Sequence, residues 1–228
     1  MKTAIVTGAS RGLGLALSRA LAERGWRLVI DARGSEALEA ARAELAAATE
    51  VVATAGDVAD EAHRAALVAA AGPRVDALVN NASVLGPSPQ PDLADYPLDV
   101  LEQVYRVNVL APLALAQAVL PLLPSGGRIL NITSDAAVEP YAGWGGYGSS
   151  KAALEQLSAV LAAERPDLHV YAVDPGDMRT QLHQEAAPGE DLSDLPPPEA
   201  SVPGLLALLE GDLPSGRYAA RELVPEVA

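Results

Sequence analysis

Tyr147 and Lys151 stand four residues apart in the segment YGSSK, and Ser134 precedes Tyr147 by thirteen residues. Residues four apart share one face of a helix, so the phenol and the ammonium would point into the same space. A nearby positive charge lowers the pKa of a tyrosine from its usual value of about 10. We therefore expect Tyr147 to exchange a proton with a carbonyl or alcohol oxygen that Ser134 holds by a hydrogen bond. On its own this spacing is weak evidence, because such pairs are common on surface helices.

The start of the chain predicts a strand, a glycine-rich turn and a helix. A β-branched run ends at Thr7, the turn GASRGLG follows, and residues 15–24 carry apolar side chains at helical spacing. A dinucleotide-binding site requires this context. Glycine lets the backbone approach a pyrophosphate, and the free N–H groups of the helix then face the phosphates. The spacing is G-x-x-x-G-x-G rather than G-x-G-x-x-G, so a glycine-rich turn without a ligand remains an alternative.

Six motifs in order, over roughly residues 3 to 180, resemble those of the short-chain dehydrogenase/reductase (SDR) family. The TGxxxGxG turn is present from Thr7 to Gly14, and the NNAG strand end appears as Asn80-Asn81-Ala82-Ser83. The remaining motifs match Asn108, Ser134, Tyr147 with Lys151, and Pro175-Gly176 followed by Thr180. Ser83 replaces a glycine, which matters only if the backbone there needs a positive φ.

The resemblance implies a role for each of four catalytic residues. Tyr147 would be the general acid in carbonyl reduction and the base in alcohol oxidation. Lys151 would lower the pKa of Tyr147 and hold the nicotinamide ribose, and Ser134 would orient the substrate carbonyl. Asn108 would fix a water that links Lys151 to solvent. The alternative for Asn108 is a polar residue that fills a helix kink ahead of Pro112.

The resemblance also implies the cofactor contacts. They are Gly8, Ser10, Arg11, Gly12, Leu13, Gly14, Arg33, Asp57, Val58, Asn81, Ala82, Tyr147, Lys151, Pro175, Gly176 and Thr180. Asp57 matches a carboxylate that meets the adenine amino group, although it could instead cap the helix that starts near residue 60. Asn81 and Ala82 match positions near the adenosine ribose, and Thr180 matches a hydroxyl that meets the nicotinamide amide or the phosphates.

The choice between NADP(H) and NAD(H) rests on the segment after the second predicted strand. An acid about 20 residues past the glycines would bind the ribose 2′-hydroxyl of NAD, and Asp31 could serve. In the family register, however, the NAD-selective acid falls at Ala32, and Arg33 matches the arginine of NADP-dependent members. Arg11 is a second cation near the 2′-phosphate, and guanidinium groups fork onto phosphate. We expect NADP(H) to be favoured, with Asp31 as the argument against.

Strand-like and helix-like segments alternate and predict a Rossmann-type doubly wound parallel sheet in three α/β/α layers. The segments are 3–7, 15–24, 27–31, 35–48, 51–54, 60–71, 75–80, 98–121, 128–133, 148–164 and 168–173, with a short helix at 203–210 and a last strand at 217–220. We expect a single domain over 1–228, with the proline- and acid-rich segment 181–203 as a mobile substrate lid.

Composition excludes several other classes of protein. The 228 residues include no cysteine, which excludes disulfides and zinc–cysteine sites. The net charge is −14 and the sequence has no basic stripe, which disfavours binding of nucleic acid. The three histidines lack ligand spacing, so we expect no metal site and treat them as surface or satisfied residues, with His183 close enough to the lid to reach substrate. We expect a cytoplasmic protein, since no signal-peptide pattern precedes the first strand and the apolar run 111–123 is too short to cross a membrane.

The substrate is expected to be a small carbonyl compound or alcohol. A mostly apolar pocket is predicted from Ala136, Val138, Tyr141, Trp144 and Met178. Acids in 181–203 hint at a cationic or neutral substrate, but surface solvation explains them better. By resemblance, the helices at 98–121 and 148–164 would pair subunits into a homodimer or homotetramer. The leading function is an NADPH-dependent carbonyl reductase; the alternatives are an NAD-dependent alcohol dehydrogenase and a cofactor-binding sensor without turnover.

Overall fold

Seven parallel strands form the centre of the protein in a computed structural model that describes residues 1–223. They are β1 (Thr3–Val6), β2 (Arg27–Ala32), β3 (Val51–Ala55), β4 (Ala77–Asn80), β5 (Arg128–Ile132), β6 (His169–Asp174) and β7 (Gly216–Ala219). Their order across the sheet is β3-β2-β1-β4-β5-β6-β7. The order reverses between β1 and β4, and ligands of such sheets bind outside the carboxyl ends of the strands at that point. The predicted doubly wound parallel sheet is confirmed.

Helices cover both faces of this sheet. They are α1 (Gly12–Glu23), α2 (Ser35–Leu45), α3 (Glu61–Ala71), α4 (Leu98–Tyr105), α5 (Ala111–Val119), α6 (Gly145–Glu164), α7 (Gln181–Ala186) and α8 (Val202–Glu210). Apolar side chains of α1, α2 and α8 pack in the core on one face, and those of α3 and α5 pack in the core on the other.

Alternation along the strands explains why the sheet needs two helix layers. In β1, Ala4 and Val6 face one core and Ile5 faces the other. The same alternation holds in β2, where Val29 lies opposite to Leu28 and Ile30. Successive side chains of a strand point to opposite faces, so a continuous apolar run must be covered on both sides.

Two helices begin earlier than the sequence predicts. Helix α1 begins at Gly12 rather than at residue 15, and α6 begins at Gly145 rather than at 148. Both first turns are rich in glycine, which has low intrinsic helix propensity. Close packing explains the glycines: a Cβ on Gly146 would overlap the ring of Tyr96, and one on Gly148 would lie 2.5 Å from the carbonyl oxygen of Ala136. Tertiary contact therefore overrides local propensity here.

The segment predicted as a lid is partly helical. It contains α7 and a 3-10 turn at Pro198–Ser201. The end of the predicted domain, residues 224–228, lies outside the described residues.

The longest apolar helical stretch runs from Leu98 to Leu122 and is interrupted by a π-helical turn at Arg106–Leu110. Within the described chain it is the one helix long and apolar enough to cross a membrane by length and composition. The apolar run 111–123 forms the second half of this stretch, which extends back to Leu98. Leu115 and Val119 are fully or almost fully buried in the core under the sheet, as in a core helix.

Candidate active site

A turn between β1 and α1 places two glycines where side chains do not fit. Gly8 has φ +65°, and a Cβ there would lie 2.9 Å from Cα of Ala82. A Cβ on Gly14 would overlap the carbonyl oxygen of Gly8. The turn is therefore packed against the end of β4 so closely that only glycine can occupy these positions.

Residues that follow β4 hold this turn in place. The side-chain amide of Asn81 donates hydrogen bonds to the carbonyl oxygens of Thr7 at 2.8 Å and Gly8 at 3.1 Å. The backbone N–H groups of Asn81 and Ala82 both donate to the hydroxyl of Thr7 at 3.0 Å. The ends of β1 and β4 thus form one rigid unit at the point where the strand order reverses.

The first turn of α1 has the properties of an anion site. No side chain caps the helix at Arg11 in the structure as described, so its first N–H groups lack a side-chain acceptor. Free N–H groups and the helix dipole together favour a phosphate at this end. The cleft beside the turn is large, about 1290 Å³, which suits a dinucleotide. The residues present therefore fit a nicotinamide dinucleotide.

Asp31, near the end of β2, is buried rather than turned to the cleft. Its Oδ1 accepts a hydrogen bond from the backbone N–H of Gly8 at 2.7 Å, and its Oδ2 accepts from Nε2 of His63 at 3.0 Å. Burial raises the pKa of Asp31, and the bonds from His63 and Gly8 oppose that shift. In this arrangement both carboxylate oxygens already accept a hydrogen bond from the protein, and the contact of Asp31 with a ribose hydroxyl remains a prediction. His63 is a satisfied histidine, as expected.

Two arginines are exposed at the same end of the cleft. Arg33 follows β2 and lines the cleft, as does Arg11, which donates to the side-chain oxygen of Gln181. Asp57 also lines the cleft, and its Oδ1 accepts from the N–H of Ala59 at 2.8 Å. Asp57 does not cap α3, because that role belongs to Asp60. Val58 borders a smaller adjoining pocket of about 40 Å³.

Tyr147 and Lys151 lie on one face of α6, as predicted, and both are buried. Nζ of Lys151 lies 5.4 Å from the centre of the Tyr147 ring and donates to the carbonyl oxygen of Ile132 at 2.8 Å. Burial lowers the pKa of Lys151 to about 7. Removal from water disfavours an ammonium that has no carboxylate partner.

The pKa of Tyr147 shifts opposite to the prediction. Burial raises it, and the nearby carboxylates of Asp135 and Asp174 raise it further. The hydroxyls of Ser83 and Ser134 oppose this by hydrogen bonding but do not outweigh burial. The prediction that the phenol has a lowered pKa is therefore wrong for the protein alone, because desolvation by burial is the largest cause of the shift.

Ser134 lies next to the phenol at the end of β5. Its hydroxyl donates to Oδ1 of Asp135 at 2.9 Å and accepts from the N–H of Ala136 at 3.2 Å. The other carboxylate oxygen of Asp135 accepts from the hydroxyl of Tyr141 at 2.9 Å. The sequence reasoning did not include Asp135 or Ser83 among the site residues, although the replacement of a family glycine by Ser83 was a signal. No non-glycine residue among 1–223 has a positive φ, so Ser83 is unstrained.

Asn108 lies in the π-helical turn and is fully buried. Its side-chain oxygen accepts from the N–H of Val84 at 2.9 Å and from the hydroxyl of Ser83 at 3.2 Å. Its amide nitrogen donates to the carbonyl oxygen of Val84 at 2.9 Å and to the hydroxyl of Ser150 at 3.0 Å. These four bonds fill the capacity of the amide, so the predicted water would have to be held by other atoms. That water remains a prediction.

The substrate end of the cleft follows β6. Pro175 and Gly176 line it, and the N–H of Gly176 donates to Oδ1 of Asp174 at 2.8 Å. Thr180 caps α7 by accepting from the N–H of His183 at 3.3 Å. Of the predicted pocket residues, all but one line the cleft: Ala136, Tyr141, Trp144 and Met178. Val138 does not line it and is 56% exposed.

Most predicted site residues therefore border one space. The cleft is lined by Gly8, Ser10, Arg11, Gly12, Leu13, Arg33, Asp57, Asn81, Ala82, Ser134, Tyr147, Lys151, Pro175, Gly176 and Thr180. Gly14 and Asn108 lie behind its wall, and Val58 lines the adjoining pocket.

Comparison with known proteins agrees with this architecture. The chain matches the family model for short chain dehydrogenases over residues 2–191. It is 35% identical over 218 residues to the rhamnolipids biosynthesis 3-oxoacyl-[acyl-carrier-protein] reductase of Pseudomonas aeruginosa, covering 89% of this chain and 82% of that relative. This chain belongs to the short-chain dehydrogenase/reductase family and is an NAD(P)-dependent oxidoreductase.

Solved structures show the same fold. An oxidoreductase from E. coli, yciK, superposes with a TM-score of 0.89 at 29% identity, covering 96% of this chain and 95% of that chain. An alcohol dehydrogenase from Thermococcus sibiricus complexed with 5-hydroxy-NADP gives a TM-score of 0.86 at 28% identity, covering 96% and 95%.

Proposed function

We propose that this enzyme is an NADPH-dependent carbonyl reductase that also oxidises the corresponding alcohol. The carrying observation is the arrangement after β2. Asp31 is 1% exposed and bonded to Gly8 and His63, while the side chain of Arg33 is exposed beside the cleft.

This arrangement favours a cofactor with a 2′-phosphate. A guanidinium binds phosphate through charge-assisted hydrogen bonds, and Arg33 and Arg11 offer two of them. The carboxylate of Asp31 is buried and directed at Gly8 and His63, away from the position of a ribose 2′-hydroxyl in the cleft. The NAD-dependent alcohol dehydrogenase thereby loses the one residue that supported it.

The remaining cofactor contacts follow from position along the cleft. The N–H groups at the start of α1 would hold the pyrophosphate. Asp57 and Val58 would meet the adenine, and Asn81 and Ala82 the adenosine ribose. At the other end, Tyr147 and Lys151 would hold the nicotinamide ribose, and Pro175, Gly176 and Thr180 would border the nicotinamide amide.

In the proposed reaction the bound cofactor supplies or accepts the hydride at the substrate carbon. Tyr147 donates the phenol proton to the carbonyl oxygen during reduction, and Ser134 turns its hydroxyl from Asp135 toward that oxygen. The raised pKa keeps Tyr147 protonated near neutral pH but makes it a weaker acid, so protonated Lys151 would have to stabilise the phenolate that forms as the proton leaves. Oxidation needs the phenolate, and protonated Lys151 would favour that form. Asn108 braces the loop after β4 against α6.

The substrate end suits a ketone or aldehyde of modest polarity. Trp144 packs edge-on against Tyr147 with ring centres 5.8 Å apart, and Met178 borders the same space. We propose that the segment 181–203, with α7, acts as the lid over this end. Of its acids only Glu185 lines the cleft, which fits solvation rather than substrate charge as the role of the others.

We also propose a homodimer or homotetramer assembled through α4, α5 and α6. Leu98 on α4, Leu110 in the π-helical turn between α4 and α5, and Val160 on α6 are 77%, 56% and 43% exposed. Large exposed apolar side chains on neighbouring helices suit a subunit contact. Light scattering of the purified protein tests this, and a monomer at all working concentrations would contradict it.

The first experiment is a paired titration with NADPH and NADH, followed by nicotinamide fluorescence. A charge-assisted contact to the 2′-phosphate makes NADPH bind about ten- to a hundredfold more tightly. Equal or tighter binding of NADH overturns the NADP preference.

A carbonyl panel with NADPH then tests catalysis. It includes small aldehydes, ketones and a 3-oxoacyl thioester, because the Pseudomonas aeruginosa relative is a 3-oxoacyl reductase. Steady NADPH consumption with any of these excludes a sensor without turnover. Tight cofactor binding with no turnover in either direction overturns the reductase proposal.

A further inference from the structure

A buried carboxylate–imidazole pair lies directly beneath the phosphate turn. Asp31 is 1% exposed and His63 is 8% exposed. Asp31 bonds the turn twice: its Oδ1 accepts from the N–H of Gly8 at 2.7 Å, and its backbone carbonyl accepts from the N–H of Ala9 at 2.9 Å. One residue of β2 therefore sets the position of the first two residues of the turn.

Space for the histidine ring is built into the neighbouring loop. His63 is the third residue of α3, and a Cβ on Gly56 would overlap its imidazole. Gly56 thus leaves room that the ring fills, and Nε2 then reaches Oδ2 of Asp31 at 3.0 Å. The contact joins β2, the loop after β3 and α3.

Without a donor at position 63, Oδ2 of Asp31 would be buried and unpaired. A buried polar group without a partner carries a large free-energy penalty, more so when it is charged. The adjoining pocket, which Asp31 lines together with Arg33 and Val58, offers a way out of the interior. Turned that way, the carboxylate would accept from a ribose 2′-hydroxyl and repel a 2′-phosphate.

We propose that His63 is a specificity-determining residue, which holds Asp31 under the phosphate turn and so keeps the acid of β2 away from the adenosine ribose. His63 touches neither cofactor nor substrate and acts through Asp31. The inference rests on the proposed use of NADPH, since it explains how a chain with an acid at this strand end accepts a 2′-phosphate.

The test compares dissociation constants for NADPH and NADH in matched variants. His63→Leu removes the donor and replaces the imidazole with an apolar side chain of similar bulk. The ratio of the NADH constant to the NADPH constant is expected to fall by about tenfold or more, because a hydrogen bond to a charged group is lost and the freed acid favours the 2′-hydroxyl. His63→Gln keeps a donor and restores part of the ratio.

Two further variants separate specificity from folding. His169→Leu is the control, because His169 bonds the carbonyl oxygen of Leu213 and does not line the cleft. Its ratio stays at the wild-type value. Asp31→Asn in the His63→Leu background removes the acid and restores the preference for NADPH. If His63→Leu does not fold, His63→Gln carries the comparison, and its ratio is expected to lie below that of wild type and of His169→Leu.

If His63→Leu weakens the binding of NADPH and NADH equally, or changes neither, the ratio is unchanged. That result overturns the inference and leaves His63 a structural residue. Failure of the double variant to recover NADPH preference overturns it as well. The wild-type ratio tests the proposed function, whereas the change in ratio among the variants tests the role of His63. The two failures are therefore distinguishable.

Discussion

The protein buries two pairs of ionisable residues beside its cleft, and the pairs differ in how their charges are satisfied. Under the phosphate turn, Asp31 and His63 are in direct contact at 3.0 Å. At the catalytic end, Nζ of Lys151 bonds only a carbonyl oxygen and faces the ring of Tyr147 at 5.4 Å. In the first pair the two side chains bond to each other, and Asp31 also bonds to Gly8. In the second pair the ammonium of Lys151 and the phenol of Tyr147 do not bond to each other, so both groups remain available to a ligand in the cleft.

This difference separates a structural pair from the pair that we propose to be catalytic. A pair whose charges and hydrogen bonds are satisfied is stabilised in one conformation, and here it holds the backbone at Gly8 in place. Burial shifts pKa values in both pairs, but the bonds from His63 and Gly8 oppose the shift of Asp31, whereas no partner opposes that of Lys151. Groups with strongly shifted pKa values often mark sites where protons are transferred. Burial is thus common to both pairs, and the absence of a charge partner beside Lys151 is what distinguishes the pair proposed to be catalytic.

The largest expected effect is at the catalytic pair. Tyr147→Phe lowers turnover by at least about a hundredfold, because the proton donor is lost while the ring that packs against Trp144 remains. NADPH affinity, measured by fluorescence titration, stays close to wild type. Tyr218→Phe is the control, since that phenol donates to the carbonyl oxygen of Pro214 away from the cleft. Turnover near wild type in Tyr147→Phe contradicts the mechanism.

At the structural pair the expected effect is on stability. Asp31→Ala lowers the free energy of unfolding by about 2–3 kcal/mol, because the N–H of Gly8 and the ring of His63 lose their buried acceptor. Urea unfolding measures this. Asp60→Ala, which removes the exposed cap of α3, is the matched comparison and costs about 1 kcal/mol. A smaller loss in Asp31→Ala than in Asp60→Ala would remove the distinction between the pairs.

A third variant measures the cofactor preference directly. Arg33→Ala weakens NADPH binding about ten- to a hundredfold and leaves NADH binding unchanged, since only the 2′-phosphate contact is lost. Arg42→Ala serves as the control, because Arg42 pairs with Glu39 on α2 and does not line the cleft. Equal loss for both cofactors shows that Arg33 does not read the 2′-phosphate.

The smallest effect has the opposite sign. Lys151→Met removes turnover but stabilises the cofactor-free protein at pH 7 by about 1 kcal/mol, or about 2–4 °C in Tm. The pKa of Lys151 is about 7 when folded against 10.5 in the unfolded reference, so its burial is most costly at pH 7 and below. The advantage of the variant shrinks as pH rises toward 10.5. Thermal unfolding from neutral to alkaline pH checks this, and destabilisation throughout would show that the bond to Ile132 outweighs desolvation.

Much of the fold was accessible from the pattern of residues. The alternation of strand-like and helix-like runs predicted the sheet because apolar periodicity reports directly on burial. The start of α6 was missed because Gly145, Gly146 and Gly148 are poor helix formers, and their role is to make room for Leu93, Tyr96 and Ala136 in turn. The π-helical turn at Asn108 was missed because no local signal marks it.

The sequence predicted the part of the candidate site that depends on backbone conformation. The turn at Gly8 and Gly14 was found because close approach excludes every other residue type. The orientation of Asp31 was not found, because nothing near it in the chain reveals that His63, far along the sequence, supplies a partner. The pKa of Tyr147 was predicted with the wrong sign for the same reason, since desolvation depends on the packing of distant residues.

The sequence alone determined the family, the parallel sheet and the order in which most predicted site residues meet the cleft. These follow from local spacing and strand ends, which any chain with this pattern shares. Only the tertiary structure decided how Asp31 is oriented, which histidine is its hydrogen-bond partner, and that Lys151 is buried without a charge partner. Burial and partner choice are sums over residues remote in sequence, so they exist only once the chain has folded.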